Sequence, residues 1–210
     1  MIKLLIADDH AIVRGGLKQL FDLSADLHVA GEAVNGAEVL DAVRTQPFDV
    51  LLLDLNMPGI SGTDLIQRVK AHCPGLPILV LSMHNEPQVA ERVLKAGATG
   101  YLTKDSEPEL ILSAIRKVAA HIRFIAPALA EKIALQATSN QAPTPHLLLS
   151  NREMEIFNLL VSGKGVNDIA GELSISSKTV STHKVRLMDK LNLQSLADLM
   201  RYAMQHNLLG

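Results

Sequence analysis

The chain has 210 residues, 48% of them hydrophobic and 20% charged, a length for one or two domains and an apolar content that excludes a disordered chain. Twenty basic side chains against 22 acidic ones leave a net charge of −2, which as a whole-chain sum argues against a nucleic-acid binder with its usual basic footprint. A single Cys, Cys73, excludes an intramolecular disulfide and a cysteine-based zinc cluster, and charge alternating with aliphatics within the first ten residues gives no signal peptide; with no apolar run near the ~20 residues that span a bilayer, a cytoplasmic protein without membrane attachment is expected.

In chain order, Ile2–Ala7 is a short aliphatic strand ending in Asp8-Asp9-His10, and a helical pattern follows through Leu17, Leu20 and Phe21. Val29-Ala30-Gly31 leads to Asn35-Gly36, after which Val39, Leu40 and Val43 recur at helical spacing. Asp49–Asp54 is apolar on both faces, as a central parallel strand is. Pro58–Gly62 is a turn in which Ser61 is placed to cap a helix to Ala71. Pro77–Leu81 is a fourth strand, Val89–Ala96 a helix ended by Gly97, Thr99–Leu102 a fifth strand and Glu107–Ala120 a helix. Five successive β-then-α units predict a five-stranded parallel, doubly wound α/β domain over 1–123.

In such a sheet the functional crevice lies beyond the carboxyl ends of the strands. Those ends carry Asp8 and Asp9, Asp54, Ser82 and Lys104. Clustered carboxylates repel unless a cation joins them, and Mg²⁺, which takes hard oxygen ligands, is the natural fit. A phosphoryl group there would be neutralised by Mg²⁺, Lys104 and the Ser82 hydroxyl, with Asp54 as the nucleophile that accepts it. Each residue singly also has a plainer role. Asp8, Asp9 or Ser82 can cap a helix, Asp54 can open a turn, and Lys104 can be a solvated charge.

These residues, with Leu53-Asp54-Leu55-Asn56-Met57-Pro58-Gly59-Ile60-Ser61-Gly62 and Tyr101-Leu102-Thr103-Lys104, make residues 2–120 resemble the receiver domain of bacterial response regulators. The resemblance implies phosphorylation of Asp54 by a sensor histidine kinase. It implies Mg²⁺ held by Asp9, Asp54 and the backbone carbonyl of Asn56, with Asp8 assisting through water, and contacts from Lys104 and Ser82 to the phosphoryl group. Tyr101 takes the family's aromatic switch position, coupled to Ser82. Met83, His84 and Asn56 stand where the family tunes access and phosphoryl lifetime.

Residues 124–147 read as a linker with a helical first part, Pro127–Gln136, followed by a polar, Pro-rich hinge at Ala137–Pro145. Residues 148–210 read as all helix. Ser150 and Glu153 have capping-box spacing, and Met154, Phe157, Leu160 and Val161 form an apolar stripe ended by Gly163 and Gly165. Val166–Leu173, the turn Ser174-Ile175-Ser176, a helix capped by Ser176 or Ser177 through Leu191, and a last helix Ser195–Asn207 follow. Within 178–190 the net charge is +3, against −3 for residues 1–123. A short helix, a tight turn and a basic helix form a helix-turn-helix, packed through Ala170, Ile175, Val180 and Leu187. Lys178, Thr179, Ser181, Thr182, His183, Lys184, Val185 and Arg186 are then the candidates for bases or phosphates of double-stranded DNA. On spacing alone, a small helical bundle with a solvated basic face fits as well.

The segment Leu149–Leu208, through Leu149–Glu155, Gly163, Asp168-Ile169-Ala170, Leu173–Ser176, Thr179-Val180, His183 and Lys190-Leu191, resembles the DNA-binding domain of the LuxR/NarL (FixJ) class. It implies a four-helix unit whose third helix reads DNA and a dimer contact on the last helix near Leu196, Leu199 and Tyr202. Together the two resemblances imply a transcriptional regulator in which phosphorylation of Asp54 drives homodimerisation and sequence-specific DNA binding. A DNA-binding regulator not gated by phosphate, and a phosphohydrolase on the same fold, are the other readings. The latter needs a substrate pocket and a second acid/base that the sequence does not offer, so an enzyme is not expected.

Overall fold

Along β1 (Ile2–Ala7) successive side chains go to opposite sides of the sheet: Leu4 and Ile6 enter one buried cluster, Leu5 and Ala7 the other. The same division runs through β3 (Val50–Asp54) and β4 (Ile78–Ser82), both buried at every residue. β2 (Leu27–Ala33) and β5 (Gly100–Thr103) complete the five expected strands. The computed structural model describes residues 1–83, 85, 87–138, 145–173, 175–206 and 208.

All pairings are parallel, in the order β2-β1-β3-β4-β5-β6. One face is covered by α1 (Ala11–Asp22) and α5 (Pro108–Ala119), which bury Leu17, Phe21, Ile111, Ile115 and Val118. The other is covered by α2 (Gly36–Thr45), α3 (Gly62–His72) and α4 (Pro87–Lys95) through Val39, Leu65, Ile66, Val69, Val89 and Val93. The order reverses direction at β1, so the ends of β1 and β3 flank the switch point of the sheet.

The sheet has a sixth strand where the sequence pattern gives five. β6 (Phe124–Ile125) pairs with β5 in the register Gly100↔Phe124 and Tyr101↔Ile125. Two residues are too few to show a period of two, and the pairing depends on tertiary contacts. Phe124 is buried with the Lys117 ammonium 5.1 Å from its ring centroid, and Gly100 leaves room for the Phe124 carbonyl, which a Cβ would meet at 2.9 Å. α6 (Pro127–Thr138) then packs Leu129 and Ile133 on the cluster that contains Tyr101. The chain divides into two compact units, Met1–Asn140 and Gln141–Gly210. Most of the expected hinge at Ala137–Pro145 lies outside the described residues.

The second unit opens with a 3-10 turn, Pro145–Leu148, followed by α7 (Asn151–Val161), α8 (Val166–Glu172), α9 (Ser177–Leu191) and α10 (Leu196–Gln205). Ser150 and Glu153 form the expected capping box, and Ser176 caps α9 by accepting from Thr179 N–H. α9 ends at Asn192 in the left-handed region, φ 54°, with Leu193 N–H donating back to the Met188 carbonyl. Phe157, Ile169, Val180, Leu187, Leu199 and Ala203 fill the core. Two local expectations are corrected. Ser61 stands at the N-cap of α3 without a capping side-chain hydrogen bond. Leu199, expected on a dimer face, is fully buried in the core of its own unit, so it is not available to a partner.

Candidate functional site

β1 and β3 end side by side, with Ala7 opposite Leu53, so the next residue of each strand, Asp8 and Asp54, emerges at the same rim. Both carboxylates are buried. β5 brings Lys104 to them: Lys104 N–H donates to the Ser82 carbonyl at 2.9 Å, and Nζ lies 2.7 Å from Asp8 Oδ2 and 3.1 Å from Asp54 Oδ2. Asp54 Oδ2 has this ion contact but accepts no hydrogen bond of regular geometry. Asp9 is exposed beside Asp8, and the His10 imidazole reaches both, with Nδ1 2.9 Å from Asp9 Oδ1 and 3.2 Å from Asp8 Oδ1. The Arg14 guanidinium donates to the Asp8 carbonyl at 2.7 Å. His10 and Arg14 are site residues that the strand-end pattern does not pick out. His10 adjoins the acidic pair, but Arg14 leaves no sequence signal because its role is set by the turn of α1.

Electrostatics follow from this burial. Removal from water raises the Asp54 pKa and the neighbouring Asp8 adds to that, while the Lys104 charge and the Asn56 backbone N–H oppose it. Burial by itself lowers the Lys104 pKa, but the hydrogen bond to Asp8 and the charge of Asp54 outweigh it and the net shift is upward. One ammonium therefore faces two buried carboxylates, with the third, Asp9, beside them. Donor atoms of Asp8, Asp9, His10 and Asp54 lie within 4.8 Å of one another, which with the hydrogen-bond-poor Oδ2 of Asp54 makes the rim fit for a divalent cation. Ser82 is fully buried, and Tyr101 is buried in the core. Asn56 and Met83 are exposed; His84 lies outside the described residues.

In the second unit, Lys178, Thr179, Ser181, Thr182, Val185 and Arg186 are exposed on α9. The Thr179 and Thr182 hydroxyls already have local partners, Ser176 Oγ and the Lys178 carbonyl. Lys184 and His183 are half-buried. His183 turns toward the core: its Nδ1 is buried without a hydrogen-bond partner, and burial, reinforced by Arg152, Arg186 and Lys190 against Glu153, lowers its pKa. Lys190, counted in the +3 of this helix, is held 2.6 Å from Glu153 Oε2.

Residues 4–116 match the family model of the response regulator receiver domain, and residues 147–203 match that of bacterial regulatory proteins, luxR family. The chain is a response regulator. It carries a receiver domain followed by a LuxR-type DNA-binding domain, and its class of function is regulation rather than catalytic turnover. This response regulator is 35% identical over 209 residues to response regulator UvrY of Escherichia coli (strain K12), covering 99% of this chain and 96% of that one. It is 35% identical over 215 residues to the oxygen regulatory protein NreC of Staphylococcus carnosus (strain TM300), covering 99% of both. Among solved structures it resembles the RcsB response regulator of Salmonella typhimurium at 30% identity and a TM-score of 0.60, over 97% of this chain and 98% of that one. An RcsB–DNA complex matches at 28% identity and a TM-score of 0.60, over 97% and 98%.

Proposed function

We propose that this response regulator takes a phosphoryl group on Asp54 from the phosphohistidine of a sensor kinase, and that the modified receiver drives homodimerisation and transcriptional control through sequence-specific binding of α9 to DNA. The observation that carries this reading is the Asp8–Lys104–Asp54 ion cluster at adjacent strand ends, with Asp54 buried and its Oδ2 without a hydrogen bond. An Asp54 oxygen forms the new P–O bond while the P–N bond breaks and its electron pair, with a proton, stays on the kinase imidazole. Asp9, Asp54 and the Asn56 carbonyl, with Asp8 through water, would hold Mg²⁺, which supplies charge neutralisation for the phosphoryl oxygens. Lys104 exchanges a carboxylate partner for a phosphoryl oxygen, and Ser82 donates to another. Tyr101, packed in the same cluster as Leu129 of α6, is the residue through which the rim is coupled to the chain leaving the receiver.

Lys178, Ser181, Thr182, Val185 and Arg186 are the exposed set for DNA, with Thr179, Lys184 and His183 at its border. Two such helices in a dimer raise the effective concentration of the second for its half-site. The lone Cys73 and the lack, among the described residues, of a helix able to cross a membrane support a cytoplasmic setting. The test compares wild type and Asp54→Asn with Mg²⁺ and acetyl phosphate. Wild type gains dimer and DNA affinity and the variant gains neither. Equal behaviour of the two would sink the phosphate switch.

A further inference from the structure

One peptide joins the two acidic residues that follow β1: its carbonyl belongs to Asp8 and its nitrogen to Asp9. The sheet and the rim hold the rest of Asp8. Its N–H donates to the Ala33 carbonyl at 3.1 Å, Oδ1 accepts from His10 N–H at 2.8 Å, and Oδ2 meets the Lys104 ammonium at 2.7 Å. The carbonyl is held from α1 instead, by Arg14 Nη1 at 2.7 Å. Because a peptide is planar, a fixed carbonyl constrains ψ of Asp8 and φ of Asp9, the two rotations that set where the Asp9 carboxylate stands relative to Asp8. Arg14 lies in the first turn of α1, its own N–H donating to the His10 carbonyl at 3.2 Å. Helical side chains lean toward the helix N-terminus, which here is toward Asp8. Nε of the same guanidinium donates to Glu32 Oε2 at 3.1 Å, and Lys18, one turn further along α1, takes Oε1 at 2.7 Å. Glu32 pairs with Ile6 near the end of β2, so the guanidinium is anchored in the sheet. Its side chain is only 16% exposed, and a rigid fork bound at two nitrogens has its direction set, as a lysine would not.

We propose that Arg14 is a positioning residue for phosphorylation of Asp54: braced by Glu32, it fixes the Asp8–Asp9 peptide so that both carboxylates are presented to the cation that the rim takes. The inference rests on the reading of the rim as a Mg²⁺-dependent phosphoacceptor site. Charge alone predicts the opposite behaviour. A guanidinium beside a cation site repels the cation, so deleting it would tighten Mg²⁺ binding and a lysine in its place would change nothing. A brace predicts that both substitutions weaken binding, because neither keeps the two-point grip.

The test uses full-length wild type, Arg14→Ala, Arg14→Lys, Glu32→Gln and Lys18→Ala. Mg²⁺ affinity is measured by calorimetry, and Asp54 phosphorylation by acetyl phosphate is followed over a Mg²⁺ series. Both Arg14 variants bind Mg²⁺ about 10–100-fold more weakly, the loss typical of a residue that orients metal ligands. Their phosphorylation is slow at low Mg²⁺ and recovers as Mg²⁺ saturates. Glu32→Gln, which keeps a neutral acceptor for Nε, falls between them and wild type. Lys18→Ala, which removes a charge from the same carboxylate without touching the rim, stays within about twofold of wild type, as an exposed pair does. Wild-type Mg²⁺ affinity in both Arg14 variants, tighter binding in Arg14→Ala, or an equal loss in Lys18→Ala overturns the proposal and leaves the phosphoacceptor reading intact. Should the Arg14 variants fail to fold, Glu32→Gln decides: weaker Mg²⁺ binding supports the brace, and wild-type affinity overturns it. Wild type that neither binds Mg²⁺ nor takes a phosphoryl group overturns the shared reading itself.

Discussion

Lys190 Nζ and Ser150 N–H both donate to the same oxygen of Glu153, Oε2, each at 2.6 Å. Glu153 is buried, so its charge is stable only because these two donors face it. Lys190 consequently belongs to the fold of the helix-turn-helix unit and not to its DNA surface. Lys190→Met is expected to destabilise the second unit by about 1–3 kcal/mol, the scale of a buried acceptor losing a partner. It leaves the salt dependence of DNA binding unchanged, measured by urea melts and by binding titrations over a range of salt.

The same contact sets an acid limit on this unit. Burial raises the Glu153 pKa, but the hydrogen bonds from Lys190 and Ser150 outweigh it and the net shift is downward. A carboxylate with a depressed folded pKa contributes stability that is present above its unfolded pKa, near 4.5, and is lost as pH falls through the folded value. Unfolding of the second unit therefore steepens below about pH 4.5 in wild type. Glu153→Gln removes that steepening while staying less stable at neutral pH. Thermal melts of the two proteins between neutral and acid pH check this.

A Cβ on Gly36 would stand 1.9 Å from the Ile60 carbonyl oxygen. Gly36 opens α2, and Ile60 lies in the loop that leaves Asp54, so the absent side chain is what lets that loop close over the sheet. Backbone cannot yield as a flexible side chain does. Gly36→Ala is expected to destabilise the receiver by about 1–3 kcal/mol. It also slows phosphorylation of Asp54 by acetyl phosphate, because Asn56 is displaced with the loop. Unfolding and phosphorylation rates measured on one variant test both effects.

Lys104 is the sole ammonium within ion-pair distance of Asp8 and Asp54 among the described residues. Lys104→Met leaves two buried carboxylates facing each other. Breaking such a pair from one side typically costs about 3–5 kcal/mol. The variant is expected to melt well below wild type in chelator and to regain more stability than wild type on adding Mg²⁺, since a cation then replaces the missing charge. A melting temperature indifferent to Mg²⁺ in both proteins would contradict the cation site.

Much of this arrangement is legible in the sequence, and the rest is not for definite reasons. Four strand ends can be found because each of those strands is a mainly apolar run stopped by a polar residue, as at Leu53-Asp54 and Leu81-Ser82. That suffices to place Asp8, Asp54, Ser82 and Lys104 on one rim. β6 is invisible because Phe124–Ile125 is a strand only by pairing with β5. The helical period of Pro127–Gln136 is visible in the sequence, but the 1% exposure of Leu129 is not, since periodicity shows an apolar face and not what covers it. Leu199 and Lys190 fail for a related reason. Side chains at helical spacing can face the core or a partner, and only the packed unit decides. Leu129→Ala is accordingly expected to cost the receiver about 2–5 kcal/mol, with the second unit's transition unmoved.

The basic helix offers a quantitative test of the DNA reading. Arg186 and Lys178 are exposed on α9, with neither in an ion pair among the described residues, whereas Lys190 is committed to Glu153. Each phosphate contact releases counterions and contributes about 0.9 to the slope of log affinity against log salt. Arg186→Ala and Lys178→Ala in the phosphorylated dimer are therefore each expected to reduce that slope by about two, one for each protomer. Val185, 59% exposed at the centre of the same face, bears no charge. If it meets base edges, Val185→Ala leaves the slope unchanged and narrows the gap between specific and random DNA. If instead the slope is the same for all these variants, α9 is a solvated basic face and not the helix that enters the groove.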